Sequence, residues 1–194
     1  MRVVKLGGSL NRDPLLRDWL QLLADAGGGR VVIVPGGGDF AEQVRELQSL
    51  WRFDDLTAHN MAILGMMQSA MLMQSLAANL EQATTAADIG RVLGEGKVAL
   101  WSPAQWIRTQ ADAMTNWGAT SDSLAAWLAT TLGATGLVLV KSCDVRPGID
   151  LAELTRQGAL DTGFCRVAAD ASYSIDVLGK DELSRMRLLL TQGC

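Results

Sequence analysis

Two lysines stand beside apolar segments that are typical of buried strands. Lys5 lies within the first segment, residues 2–6, and Lys141 directly follows another, residues 137–140. The first segment leads into a loop of small residues, Gly7, Gly8 and Ser9. Glycine has no Cβ, so backbone N–H groups can approach an anion closely, and a neighbouring lysine adds a positive charge. This combination favours a phosphate-binding loop, with a simple turn as the alternative.

A second glycine loop follows the next apolar segment, residues 31–34. The loop contains Gly36, Gly37 and Gly38, and a helix is predicted to begin directly after it near Phe40. Unpaired N–H groups and the helix dipole attract anions to such a helix start. Ligands of open α/β sheets bind outside the carboxyl ends of the strands, so the two glycine loops are expected to lie close together there.

A third polar group begins a predicted helix at Ser121 or Asp122. With the lysines and the glycine loops it suits phosphoryl transfer, which needs two substrates held in line and negative charge neutralised by lysines, N–H groups and a metal ion. The Walker and dinucleotide-binding glycine patterns are both absent, which argues against a P-loop enzyme and a simple dehydrogenase. Helix capping is the alternative role for Asp122.

The bulk properties indicate one α/β domain. The chain has 194 residues, 48% of them hydrophobic, and a net charge of -4, which allows a full core and argues against nucleic acid as a partner. The three cysteines, Cys143, Cys165 and Cys194, show no C-x-x-C spacing. This predicts a reducing cytoplasm rather than disulfides or zinc. Polar residues interrupt the apolar stretch 56–80, so no membrane span is expected.

Predicted strands and helices alternate along the chain. A helix start is favoured at Asp13 and Pro14, as N-cap and first helical residue. Besides the first strand, strands are predicted at 30–35, 97–101, 137–140 and 173–178. Besides the helices already mentioned, helices are predicted at 56–80, 150–156 and 181–190. Runs of apolar residues such as 31–34 are typical of parallel strands buried on both faces.

The predicted helix 56–80 is apolar nearly all round. A helix of this kind must bury both sides. One side is expected to pack on the sheet and the other on a second copy of the chain, which predicts a homodimer or a higher homo-oligomer. Core filling by its methionines is the alternative.

Four short segments occur in the order and positions of a known superfamily. They are Val-Lys-Leu-Gly-Gly-Ser at 4–9, Val-Pro-Gly-Gly-Gly at 34–38, Ala-Thr-Ser-Asp-Ser-Leu-Ala-Ala at 119–126 and Val-Lys-Ser-Cys-Asp-Val at 140–145. In these segments the chain resembles the amino acid kinase superfamily. The resemblance implies a three-layer αβα sandwich with a mainly parallel sheet, formed by residues 1–194 as a single domain. It also implies ATP and Mg²⁺ as cofactors and transfer to a carboxylate, carbamate or phosphate.

The same resemblance implies roles for individual residues. Lys5 and Lys141 would flank the transferring phosphoryl group, and Asp122 would orient both lysines. The ATP side would be formed by Gly7, Gly8, Ser9, Ser121 and Asp144. The acceptor side would be formed by Gly36, Gly37 and Gly38. No protein residue is assigned as a direct metal ligand.

Within the superfamily, one branch has further similar features. They are Pro-Gly-Gly-Gly-Asp-Phe-Ala at 35–41 followed by Arg45, Asp55, and Ala-His-Asn-Met-Ala at 58–62. These resemble the branch associated with methanofuran biosynthesis, whose members phosphorylate aminomethylfuran-methyl phosphate. Arg45 and Arg52 are candidate ligands for the acceptor's phosphate. His59, the one histidine, is a candidate substrate ligand or a structural hydrogen-bonding group.

Two other functions remain open on the sequence. A catalytically silent nucleotide- or metabolite-binding protein would fit a chain that ends in Gln-Gly-Cys, where many relatives have a glycine-rich Gly-Thr segment near the nucleotide. The segment Ser142-Cys143-Asp144 also replaces the usual Thr-Asp pair. A uridylate-type nucleotide kinase is the third hypothesis. Three tryptophans, Trp101, Trp106 and Trp117, are candidates for a lid or acceptor pocket.

Overall fold

A computed structural model describes residues 1–145 and 148–191 of the chain. Its strands are β1 (Arg2–Leu6), β2 (Val31–Pro35), β3 (Leu80–Ala83), β4 (Val98–Trp101), β5 (Gly136–Lys141) and β6 (Ser174–Gly179). Its helices are α1 (Leu15–Ala26), α2 (Gly38–Trp51), α3 (Asp55–Leu76), α4 (Ala86–Gly94), α5 (Ser121–Thr131), α6 (Leu151–Arg156), α7 (Phe164–Val167) and α8 (Leu183–Thr191).

The described strands form one parallel sheet in the order β3-β4-β2-β1-β5-β6. Strand β1 lies in the middle, and Lys5 pairs in register with Val34 of β2 and Leu139 of β5. Because parallel strands share one direction, the loops after β1, β2 and β5 all leave the sheet at the same edge. This topology brings both glycine loops and Lys141 together.

Alternating residues of the strands fill two cores, one on each face of the sheet. Val3 and Val32 belong to the core that α4, α5 and α7 cover. Val4 and Ile33 belong to the core that α1 and α8 cover. The predicted three-layer αβα architecture is therefore confirmed.

Three elements, β3, α4 and α7, were not predicted from the sequence, and one helix was predicted too long. Helix α3 ends at Leu76 rather than Leu80, because Ala77 is already extended with φ -143° and ψ 140°. Asn79 then takes a positive φ of 67°, and Leu80 begins β3. Strand β3 is only four residues long and has two polar residues in its centre, so it shows no apolar run. Helix α4 follows it, and its capping box of Thr85 and Asp88 was a usable sequence signal.

Helix α3 buries one side and leaves apolar residues on the other. Ile63, Ala70 and Met73 are buried, whereas Leu64 and Met71 are exposed. The sequence predicts that the sheet covers one side of this helix and a second copy of the chain covers the other. The homodimer or higher homo-oligomer through this helix stays a prediction. No helix within the described ranges combines the length and apolar character needed to cross a bilayer.

Candidate active site

Three buried charged side chains meet at the carboxyl edge of the sheet. Lys5 comes from β1, Lys141 from the last position of β5, and Asp122 from the first turn of α5. Lys141 donates a hydrogen bond of 2.5 Å to Oδ2 of Asp122. Lys5 forms an ion pair of 2.9 Å with Oδ1 of the same carboxylate, without the alignment of a hydrogen bond. The exposed fractions are 4% for Lys5, 9% for Lys141 and 3% for Asp122.

The two lysines share one carboxylate, and this sets the protonation of the cluster. Burial alone raises the pKa of Asp122, but the positive charges of Lys5 and Lys141 outweigh that effect and lower it to about 2. Burial and the charge of Lys5 lower the pKa of Lys141 to about 8, although Asp122 opposes the shift. The cluster thus places two ammonium groups against a single carboxylate. A net positive charge buried in this way favours an incoming anion.

The two glycine loops are in direct backbone contact. A Cβ added at Gly8 would lie 2.2 Å from the amide nitrogen of Gly38, and one added at Gly36 would lie 2.3 Å from that of Gly8. Gly38 also has a positive φ of 55°, which an L side chain rarely adopts. These three positions require glycine on packing grounds, and the predicted proximity of the loops is confirmed.

The first glycine loop is also joined to the segment after β5. The amide of Gly7 donates to the carbonyl of Val140 over 3.0 Å, and the Ser9 hydroxyl donates to the Ser142 hydroxyl over 2.9 Å. Residues 8–12 continue as a short 3-10 helix rather than as an open loop. The loop is therefore held against the strand that carries Lys141.

A cavity of about 380 Å³ opens beside this cluster. Four residues of the glycine loops form one end: Gly8, Ser9, Gly37 and Gly38. Helix α2 contributes Asp39, Ala41, Glu42 and Arg45, and α3 contributes Asp55, Ala58, His59, Ala62, Ile63 and Met66. The opposite wall is Asn116, Trp117, Ala119, Thr120, Ser121 and Leu124. The volume of this cavity, and its lining of both apolar and polar side chains, are typical of a small-molecule binding site.

The antiparallel pair of α2 and α3 gives the cavity two distinct ends. Near the glycine loops, a Cβ on Gly65 would lie 3.1 Å from the amide nitrogen of Ala41. At the far end, Gln48 donates a hydrogen bond of 2.9 Å to Asp55. Gln48 also accepts one of 2.6 Å from the Trp117 indole, so the hairpin is tied to the opposite wall.

His59 and Arg45 both line the cavity. His59 is buried, with Nε2 3.0 Å from the carbonyl oxygen of Trp106. Burial lowers the pKa of His59, and the charge of Arg108 acts in the same direction. The Arg45 guanidinium lies 4.5 Å from the centroid of the Trp117 ring, an arrangement typical of a cation–π contact.

Several predicted site residues lie apart from this cavity. Arg52 is the exposed residue that directly follows α2, and its backbone is left-handed with φ 57°. Asp144 is exposed in the segment after β5. Neither is part of the cavity wall. Trp106 packs edge-on against Trp127, with 4.8 Å between ring centroids, so of the three candidate tryptophans only Trp117 faces the cavity.

Asp161 is a site residue that the sequence analysis missed. Its carboxylate accepts hydrogen bonds from the amide and hydroxyl of both Thr120 and Ser123, over 2.5 to 3.0 Å. These residues bracket Asp122, so Asp161 fixes the start of α5. The only sequence signal was an acidic residue in the segment 161–163, and nothing local linked it to a helix 38 residues away.

Comparison with known proteins decides the family. The model of the amino acid kinase family matches residues 1–145. The chain belongs to the amino acid kinase family. A curated relative from Methanocaldococcus jannaschii, (5-(aminomethyl)furan-3-yl)methyl phosphate kinase, is 29% identical over 146 residues, which cover 74% of this chain and 67% of the relative.

Solved structures of two other kinases share the fold. The uridylate kinase of Archaeoglobus fulgidus superposes with a TM-score of 0.71 at 15% identity, covering 98% of this chain and 96% of that one. An isopentenyl phosphate kinase gives a TM-score of 0.62 at 12% identity, covering 99% and 96%. As a member of this family, the chain is a kinase.

Proposed function

We propose that this amino acid kinase transfers the γ-phosphoryl group of ATP to a phosphate monoester, with aminomethylfuran-methyl phosphate as the acceptor. The observation that carries the proposal is the buried Lys5–Asp122–Lys141 cluster, placed beside the glycine-loop end of a small-molecule cavity. The Methanocaldococcus jannaschii relative supports the choice of acceptor. The mixed lining of the cavity suits a small ring that carries polar groups.

The chain's own residues supply positioning and charge. Lys5 and Lys141 neutralise negative charge that spreads over the transferring group, since phosphoryl transfer depends mainly on electrostatic stabilisation. Asp122 holds both ammonium groups close together, because each contacts a different oxygen of its carboxylate. A phosphate monoester is already an anion, so no side chain is needed as a general base.

The glycine loops fit a nucleotide phosphate. Gly8 and Gly38 line the end of the cavity, and a backbone without a side chain can be approached closely by phosphate oxygens. ATP would contact Gly7, Gly8, Ser9 and Ser121, with Asp144 beside the nucleotide, and it supplies the phosphoryl group. Within the described ranges no three His, Cys, Asp or Glu side chains cluster as metal ligands. Mg²⁺ commonly takes most of its ligands from phosphates and water, which suits this site.

The test is a turnover assay of the purified chain with ATP, Mg²⁺ and aminomethylfuran-methyl phosphate, with UMP and isopentenyl phosphate as competing acceptors. Diphosphate formation from the aminomethylfuran compound, detected by phosphorus NMR, is the expected result. Binding of ATP without turnover of any acceptor would favour the silent binding protein instead. A preference for UMP would favour the nucleotide kinase. Assembly through α3 and a cytoplasmic location stay predictions.

A further inference from the structure

One face of α3 presents a carboxylate and an imidazole to the same cavity. Asp55 and His59 are four residues apart and both line it, as expected for neighbours on one helix face. Both lie toward the N-terminal end of α3, whereas Gly65 contacts the residues that follow the second glycine loop. At 1.5 Å per residue, His59 lies about 10 Å along the helix axis from Met66. A small ligand spanning that distance has its two ends in different surroundings.

Asp55 differs from the other acidic residues of the cavity in having no cationic partner among the described residues. Asp39 pairs with Arg12 at 2.6 Å, and Glu42 pairs with Arg45 at 3.7 Å. No lysine or arginine in residues 1–145 or 148–191 forms an ion pair with Asp55. One oxygen, Oδ1, accepts the hydrogen bond from Gln48. The carboxylate, which belongs to an exposed residue, is thus oriented by a neutral group rather than by a cation.

The tautomer of His59 follows from its contact with Trp106. A carbonyl oxygen only accepts hydrogen bonds, so Nε2 must carry the hydrogen across the 3.0 Å contact. In the neutral imidazole, Nδ1 then has a lone pair. No hydrogen bond from a described residue reaches Nδ1. Burial, which lowers the pKa of His59, favours this neutral form and keeps Nδ1 available as an acceptor.

We propose that Asp55 and Nδ1 of His59 bind a primary ammonium group on the acceptor substrate. The inference rests on the proposed function and names the feature of the acceptor that this chain recognises. Asp55 supplies the opposite charge, and His59 accepts one N–H. Between them and the glycine loops lie Ala62 and Ile63, which form an apolar surface for a ring. The acceptor thus lies with its phosphate at the glycine loops and its ammonium at the start of α3.

The experiment compares two acceptors that differ in one group: aminomethylfuran-methyl phosphate and the analogue with a methyl group in place of aminomethyl. The ratio of their kcat/KM values is measured for wild type, Asp55→Asn and His59→Phe. Glu46→Gln, an exposed carboxylate of α2 outside the cavity, is the matched control. We expect wild type and the control to prefer the amine. Asp55→Asn should lower that preference by about tenfold or more, the size expected for a charged hydrogen bond.

A structural defect would lower kcat/KM equally for both acceptors, so a change in the ratio of the two values reports recognition of the amine. An equal rate for both acceptors in wild type, or an unchanged ratio in Asp55→Asn, would overturn the inference. If wild type phosphorylates neither acceptor, the proposed function fails. Calorimetric titration of the same two compounds into wild type and Asp55→Asn then decides the ammonium site, because equal affinities would overturn it.

Discussion

Lys141 and Asp122 are 19 residues apart in the sequence and are joined by a buried hydrogen bond of 2.5 Å at the edge of the sheet. The same carboxylate also holds Lys5. Two cations therefore share one anion in a place that water barely reaches. We therefore expect both the activity and the stability of this amino acid kinase to depend on that arrangement.

Removing the charge of Lys5 should abolish most of the activity. Lys5→Met keeps the length of the side chain and leaves Asp122 paired with Lys141. We expect kcat to fall by about 10²- to 10³-fold, the usual cost of losing one electrostatic contact to the transition state, with a circular dichroism spectrum like that of wild type. Lys97→Met, which lies beside the amino end of β4, is the control. An unchanged kcat would remove Lys5 from the mechanism.

Neutralising Asp122 should destabilise the fold. In Asp122→Asn two buried ammonium groups lose their counter-charge, and breaking a buried pair costs about 3–5 kcal/mol. Denaturant unfolding measures the free energy. Asp39→Asn breaks the exposed pair with Arg12 and should cost far less, because water screens exposed ion pairs. If both variants lose the same free energy of unfolding, the buried cluster does not contribute more to stability than an exposed ion pair.

The activity should fall at alkaline pH because Lys141 deprotonates. Its pKa is about 8 in the free protein, so the cation is present below that pH and is lost above it. We expect kcat/KM, which reports the free enzyme, to decline with an apparent pKa near 8. The decline of kcat should occur at higher pH, since bound phosphates favour the charged lysine. In Lys141→Arg, whose guanidinium stays protonated, an identical alkaline decline would assign it to another group.

Asp161 should act on the reaction through the start of α5. Asp161→Asn replaces one of the two carboxylate oxygens that accept hydrogen bonds from Thr120 and Ser123, and it removes a charge that raises the pKa of Lys141. We expect a loss of about 1–3 kcal/mol in stability and an alkaline limb of kcat/KM at lower pH than in wild type. Asp170→Asn, an exposed residue nearby, is the control. A stability loss with no movement of the pH profile would limit Asp161 to a structural role.

The contact between the glycine loops should make Gly8 intolerant of a side chain. In Gly8→Ala the new Cβ would meet the amide nitrogen of Gly38 at 2.2 Å, so one loop must move and ATP binding should weaken. Gly90→Ala in α4 has no atom within 4 Å of the new Cβ and should gain about 1 kcal/mol in stability. Calorimetric titration with a non-hydrolysable ATP analogue and thermal melts measure both effects. Wild-type affinity in Gly8→Ala would contradict the loop's role.

Local patterns were enough to locate most of the sheet and one half of the site. The apolar runs around Val32 and Val138 are buried on both faces, and strands of that kind are recognisable from composition alone. Lys5, Lys141 and the glycines follow directly from such runs, so their meeting at one edge was predictable. Strand β3 was missed because its four residues gain their conformation from pairing with β4 rather than from an apolar run of their own.

The other half of the site depends on contacts between distant parts of the chain. Two sets of hydrogen bonds are not marked by any local sequence pattern. One joins Trp117, Gln48 and Asp55, and Thr120 donates the other to Asp161. The sequence by itself determined most of the strands, the glycine loops and the family, because backbone requirements and burial act over a few residues. Only the tertiary structure decided which helix faces meet to form the cavity, because that depends on packing between elements far apart in the chain.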